Sequence, residues 1–169
     1  SLGGWCGPRM ALGINPIGSL PFDNVRSTFK GILDCIENDF NNYFPTEIKE
    51  NYFNNYLGKY IGFYHHDLKD NKVIESFKRK IERFKHLLQT SNEIIFLRTI
   101  IDENYENELI LYQQFSKIMS DKYPNLKYIL CFIIHDQIFT GHILTLNSNI
   151  IVCSIEHIDI HNLTDDSLI

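Results

Sequence analysis

A thiol set among glycines opens the chain, in Ser1-Leu2-Gly3-Gly4-Trp5-Cys6-Gly7-Pro8. Glycine lets the backbone turn sharply and lets a substrate approach closely. A helix start predicted just after Cys6, around Pro8–Leu12, tolerates proline in its first turn, and Gly13 can end it. Amides freed at such a start stabilise a thiolate, lowering a cysteine pKa from about 8.5. Amides near Gly3 or Gly7 are also placed to hold an oxyanion as charge develops on an attacked carbonyl. Without chemistry, the same segment makes Cys6 a small core residue in a tight loop.

A base is offered by Tyr64-His65-His66-Asp67. Neighbours on an extended segment point to opposite sides, so one imidazole can face a thiol while the other does not. Histidine titrates near neutrality and suits a general base. The competing reading is a surface pair ahead of a helix, with Asp67 starting a turn. Two histidines are too few to close a zinc site, and His135, His142, His157 and His161 have no metal-ligand spacing, so no metal is expected. Asp23, in Leu20-Pro21-Phe22-Asp23, is able to orient an imidazole as a carboxylate does in a triad; locally, the N-cap of a following helix explains it as well. Arg98, near the end of an apolar run, suits bidentate binding of a carboxylate or phosphate, or equally a structural ion pair. No Gly-rich phosphate loop is present and no cofactor is expected.

The elements that must position these groups follow from periodicity. Residues 24–40 carry Val25, Phe29, Ile32, Leu33, Ile36 and Phe40 at helical spacing. Residues 41–64 show no clear period. Residues 73–89 give the clearest helix, with Val73, Phe77, Ile81, Phe84, Leu87 and Leu88 on one stripe and a basic face of Lys78, Arg79, Lys80, Arg83 and Lys85, read as solvated. Glu93–Ile100 and Lys127–Ile134 read as buried strands around a helix over 104–122. That βαβ unit predicts parallel strands joined by a right-handed crossover, with both sheet faces covered. Further strands are expected at 143–146 and 150–155, separated by Asn147-Ser148-Asn149. The expected fold is α/β: a single domain over residues 1–169 with a mostly parallel, Rossmann-like central sheet flanked by helices and antiparallel strands near the end of the chain. In such sheets the site lies outside the carboxyl ends of the strands, where Arg98 and His135-Asp136 fall.

Composition narrows the function classes. A chain of 169 residues with 44% hydrophobic and 22% charged residues is a globular domain, not a disordered one. Its formal net charge of −5 argues against a general nucleic-acid or anionic-membrane surface. No apolar run approaches the roughly 20 residues needed to span a bilayer. Cys6, Cys35, Cys131 and Cys153 form no CxxC pair, and the last two sit in apolar runs as expected of buried thiols. This usage predicts a reducing compartment, the cytoplasm. No secretory signal is visible, and a start at Ser1 without methionine points to a few residues removed ahead of it.

Taken in order, these blocks resemble the family described as putative papain-like cysteine peptidases (domain of unknown function 1796), known from bacteria and large DNA viruses. The resemblance rests on Ser1, Leu2, Gly3 and Cys6; on Pro21, Phe22 and Asp23; on His66 and Asp67; on Arg83 and Phe84; and on Phe96 and Arg98. It covers about residues 1–100. Asn24 departs from it, since the family usually has an aromatic there. The resemblance implies a Cys nucleophile with a His base, an α+β papain-like fold as the alternative architecture, and the host cytoplasm for a viral source. With the residue pattern it yields a thiol hydrolase of peptidase or amidase type acting on a peptide or amide. In that hydrolase Cys6 attacks a carbonyl, His66 or else His65 takes the thiol proton, Asp23 orients the imidazole, and amides near Gly3 or Gly7 hold the oxyanion. Two other readings stand beside it: a Rossmann-like phosphate- or nucleotide-binding module or transferase using Arg98, and an interaction protein with an inactive site.

Overall fold

The computed structural model describes residues 1–4, 18–45, 56–57, 61–63, 66–100, 105–135 and 143–155. Cys6, Gly7, His65 and the helix expected around Pro8–Leu12 lie outside the described residues.

The larger sheet follows from the apolar runs. Strands β4 (Glu93–Ile100), β5 (Lys127–His135) and β7 (Ile150–Ile155) pair in parallel, and β6 (Ile143–Asn147) adds an antiparallel edge, in the order β4-β5-β7-β6. Of the two architectures expected, this is the α/β one: three parallel strands flanked by helices, with an antiparallel strand late in the chain. A smaller antiparallel sheet joins β1 (Arg26–Ser27), β3 (Ile61–Gly62) and β2 (Tyr56–Leu57), in that order.

Alternation assigns the two faces of the large sheet. Phe96, Arg98 and Ile100, with Leu130, Phe132 and Ile134 and with Ile150, Val152 and Ser154, share one face and are all buried. Helix α1 (Phe29–Glu37) and helix α4 (Tyr112–Lys122) cover it through rings: Phe29 lies 5.3 Å from Phe132 and 5.8 Å from Phe115, which lies 5.4 Å from Phe96. The expectation that both faces are covered is corrected on the other side. There Ile95 is 65% and Ile143 71% exposed, and among the described side chains only Thr99 and His135, toward the strand ends, are buried. Cys131 and Cys153 lie on this face and are half-buried, not buried as expected. Helix α2 (Asn71–Thr90) buries its predicted stripe, Phe77, Ile81, Phe84 and Leu88, with Val73 and Leu87 packed at its margin. Phe84 meets Phe22 and Phe40 at 5.7 and 5.8 Å.

Two helix boundaries differ from expectation. The helix read over 24–40 begins only at Phe29, because Thr28 is extended and its hydroxyl accepts from Gly31 N (3.2 Å), while Arg26 and Ser27 pair with β3. The helix read over 104–122 is two: α3 (Tyr105–Ile110) and α4, separated at Leu111. Lysine anchors the far end of α1, where Lys122 donates to the carbonyls of Ile36 (2.8 Å) and Glu37 (2.9 Å) and to Asp39 (2.8 Å). A cation is favourable at that end of a helix.

Candidate active site

The residues ahead of Cys6 are tied to the free edge of β4. Leu2 N–H donates to the Leu97 carbonyl (2.7 Å), and the Thr99 N–H and hydroxyl donate to the Gly3 carbonyl (3.3 and 3.1 Å). An edge strand with open backbone groups needs such a cover. Gly3 and Gly4 make it possible, at φ +69 and +106. A Cβ on Gly4 would stand 2.1 Å from the Thr99 carbonyl oxygen, and one on Gly3 would stand 2.5 Å from Ser27 Oγ. The Ser-Leu-Gly-Gly opening is thus a contact of backbone on backbone that only glycine permits.

A buried ion pair fastens the same segment from below. Arg98 is 3% exposed and forks onto Glu108, with Nε 2.9 Å from Oε2 and Nη2 2.6 and 2.8 Å from the two oxygens. Its remaining nitrogen, Nη1, donates to the Leu2 carbonyl (3.3 Å) and to Ser27 Oγ (3.4 Å), and Ser27 Oγ also accepts from Gly4 N (3.4 Å). Glu108 Oε1 accepts in turn from Phe29 N (2.9 Å), at the start of α1. Of the two roles open to Arg98 in the sequence, these contacts are the structural ion pair. Glu108 went unnoticed because a glutamate on a polar helix carries no local signal of a partner ten residues back.

Asp23 is buried and closes a turn. Its Oδ2 accepts from Leu20 N (2.7 Å), its own N–H donates to the Leu20 carbonyl (3.2 Å), and the Ser1 nitrogen lies 3.4 Å from Oδ1. It is therefore not the cap of α1, a role that Thr28 fills. The Pro21 carbonyl accepts from the Tyr43 hydroxyl, whose pKa burial drives well above its ordinary value. Arg83 donates to the Ser19 carbonyl, so the basic face of α2 is not wholly solvated. Lys80 Nζ stands 4.0 Å over the Phe77 ring; burial lowers its pKa, an effect that Asp23 opposes.

His66 follows β3 and is partly buried, with its ring edge-on to Phe77 at 4.9 Å and its N–H toward the Phe63 carbonyl (3.4 Å). Phe77 packs on Tyr43 at 5.9 Å, and Tyr43 on Phe22 at 6.1 Å, so one aromatic cluster joins the His66 block to the Pro21-Phe22-Asp23 block. Asp67 makes the expected turn, its Oδ1 accepting from Lys69 N (2.9 Å), and Asp70 caps α2. Among the described residues no three His, Cys, Asp or Glu side chains gather to hold a metal ion, and no helix is long and apolar enough to cross a membrane.

Cys35 shows what an inert thiol in this fold looks like. Burial, helped by the neighbouring Asp34 carboxylate, pushes it from 9.0 up to about 12. Iodoacetamide at about pH 8 is expected to leave Cys35 unmodified until the chain unfolds, which mass mapping of alkylated peptides checks. The raised value also ties stability to pH. The buried neutral thiol contributes fully below about pH 9, and its contribution is lost as pH rises from 9 toward 12.

The fold and these contacts define an α/β protein whose glycine-rich opening is locked onto the edge of a parallel sheet. The chain belongs to the family described as putative papain-like cysteine peptidase (DUF1796), whose model matches residues 1–138. No curated protein and no solved structure matches it.

Proposed function

We propose that this protein is a thiol hydrolase of peptidase or amidase type, taking a peptide or amide substrate as its family description suggests. Cys6 is the nucleophile. His66, or His65 as the alternative, takes the thiol proton and returns it to the leaving amine. Asp23 orients the imidazole, and backbone amides near Gly3 or Gly7 hold the oxyanion. This reading takes residues 1–169 as one Rossmann-like domain that works without metal or cofactor in a reducing compartment such as the cytoplasm.

The observation that carries it is the pair Gly3–Gly4, both at positive φ and seated against Ser27 and Thr99 near the carboxyl end of β4. Glycine takes this backbone without strain, so the pair lets the chain leave the edge of β4 in a fixed direction at the point where the segment bearing the thiol begins. Cys6 follows Gly4 by two residues in the sequence, and α/β sheets take their ligands outside the carboxyl ends of their strands. The nucleotide-binding alternative needs an Arg98 guanidinium whose Nε and Nη2 Glu108 already holds and whose Nη1 is turned to the Leu2 carbonyl and Ser27 hydroxyl.

Alkylation by iodoacetamide across pH, mapped to each cysteine, tests the proposal. Cys6 is expected to react with a midpoint well below the ordinary value of about 8.5. His66→Ala should return that midpoint toward the ordinary value, and His65→Ala should do so only if His65 is the base. An ordinary midpoint for Cys6 in the unaltered protein overturns the assignment.

A further inference from the structure

We propose that Cys131 and Cys153 form a two-thiolate clamp for a soft, thiophilic metal ion of the Cu(I) type, on the half-covered face of the large sheet. The two sulfurs stand 3.9 Å apart on neighbouring parallel strands, and both residues are half-buried, so solvent reaches the pair. An ion about 2.3 Å from each sulfur, as in metal–thiolate bonds, would subtend a sulfur–metal–sulfur angle of roughly 116° at this spacing. That lies between the tetrahedral and trigonal values, and it requires no movement of either strand.

A direct disulfide fits less well. Its bond is about 2.05 Å, so the sulfurs would have to close by roughly 1.9 Å. The register opposes this: Cys131 faces Ile151 and Cys153 faces Ile133, which makes the thiols a diagonal pair. The surroundings select for softness. Ile129, Ile133 and Ile151 share the face, and among the described residues no carboxylate stands in register with either cysteine on β5 or β7, a setting that favours a soft ion over a hard, oxygen-seeking one. Burial and the neighbouring thiol push the Cys131 thiol up to about 11. Binding exchanges two S–H bonds for two S–metal bonds and releases two protons, with no electron transferred. Further coordination comes from solvent or a small thiol.

The test titrates the reduced full chain with Cu(I) against a chromophoric Cu(I) chelator under anaerobic conditions. The unaltered chain should hold one Cu(I), with two or more sulfur scatterers in the copper X-ray absorption spectrum and a raised Tm. Cys131→Ser and Cys153→Ser should each weaken binding by at least about tenfold, whereas Cys35→Ala should not. Should a serine variant fail to fold, the spectrum and Tm of the unaltered chain decide. Fewer than two sulfur scatterers, or binding retained by both serine variants, overturns the proposal.

Discussion

Replacing Glu108 by alanine should lower the unfolding free energy by about 3–5 kcal/mol, seen as a lower urea midpoint at unchanged slope. The reason is asymmetry. Arg98 is 3% exposed and Glu108 18% exposed at its side chain, so removing the carboxylate strands the better buried charge. Phe29 N loses its acceptor in the same stroke, at the first residue of α1. Arg98→Met leaves the opposite charge where water can reach it and should cost less. Its distinctive effect is local, since the Leu2 carbonyl and Ser27 hydroxyl lose their donor and the opening segment should exchange amide hydrogens faster. The double variant should cost less than the sum of the two, with a coupling above about 1 kcal/mol. Additivity within error would mean that the fork is not what holds β4, α1 and the opening segment together.

That junction also marks how far the sequence could be read. Apolar runs announced β4, β5 and β7, because a strand covered on even one face by rings keeps few polar positions. The same runs could not tell one covered face from two, and Ile95 and Ile143 turned out exposed. The stripe of α2 was legible, but its basic face was not uniform. Arg83 reaches the Ser19 carbonyl and Lys80 lies over Phe77, contacts that helical periodicity cannot distinguish from solvation. Val25 kept helical spacing with Phe29 by coincidence; it is buried from the turn ahead of β1, and Thr28 marks the true start of α1. Local pattern reports which face a residue takes, not which distant group it meets. Glu108, ten residues from Arg98 along the chain and on another element, was therefore invisible. Gly3 and Gly4 were legible as permissive residues, but what they permit, contact with Ser27 and Thr99, belongs to tertiary structure.

Gly4→Ala is the second substitution with a large expected effect, and it probes the feature on which the hydrolase reading leans. The backbone at Gly4 has φ +106, and the new methyl would stand 2.1 Å from the Thr99 carbonyl oxygen and 3.2 Å from its hydroxyl. Strain of this kind costs on the order of 1–3 kcal/mol, and forced overpacking a similar amount, so a loss of about 2–5 kcal/mol is expected. The obstacle is a backbone atom, so no side-chain truncation should relieve it. Gly3→Ala differs in kind, because its nearest obstacle is Ser27 Oγ at 2.5 Å. Part of its cost should vanish in a Ser27→Ala background, although the φ strain and the Phe22 carbonyl at 3.0 Å keep the rescue incomplete. Thermal or urea unfolding of the four variants measures this contrast. If the opening segment is what activates the thiol, Gly4→Ala should also move the Cys6 alkylation midpoint toward that of an ordinary cysteine. A Gly4→Ala protein as stable as its parent, or one rescued by Ser27→Ala, would mean that the segment does not lie on the edge of β4 as described.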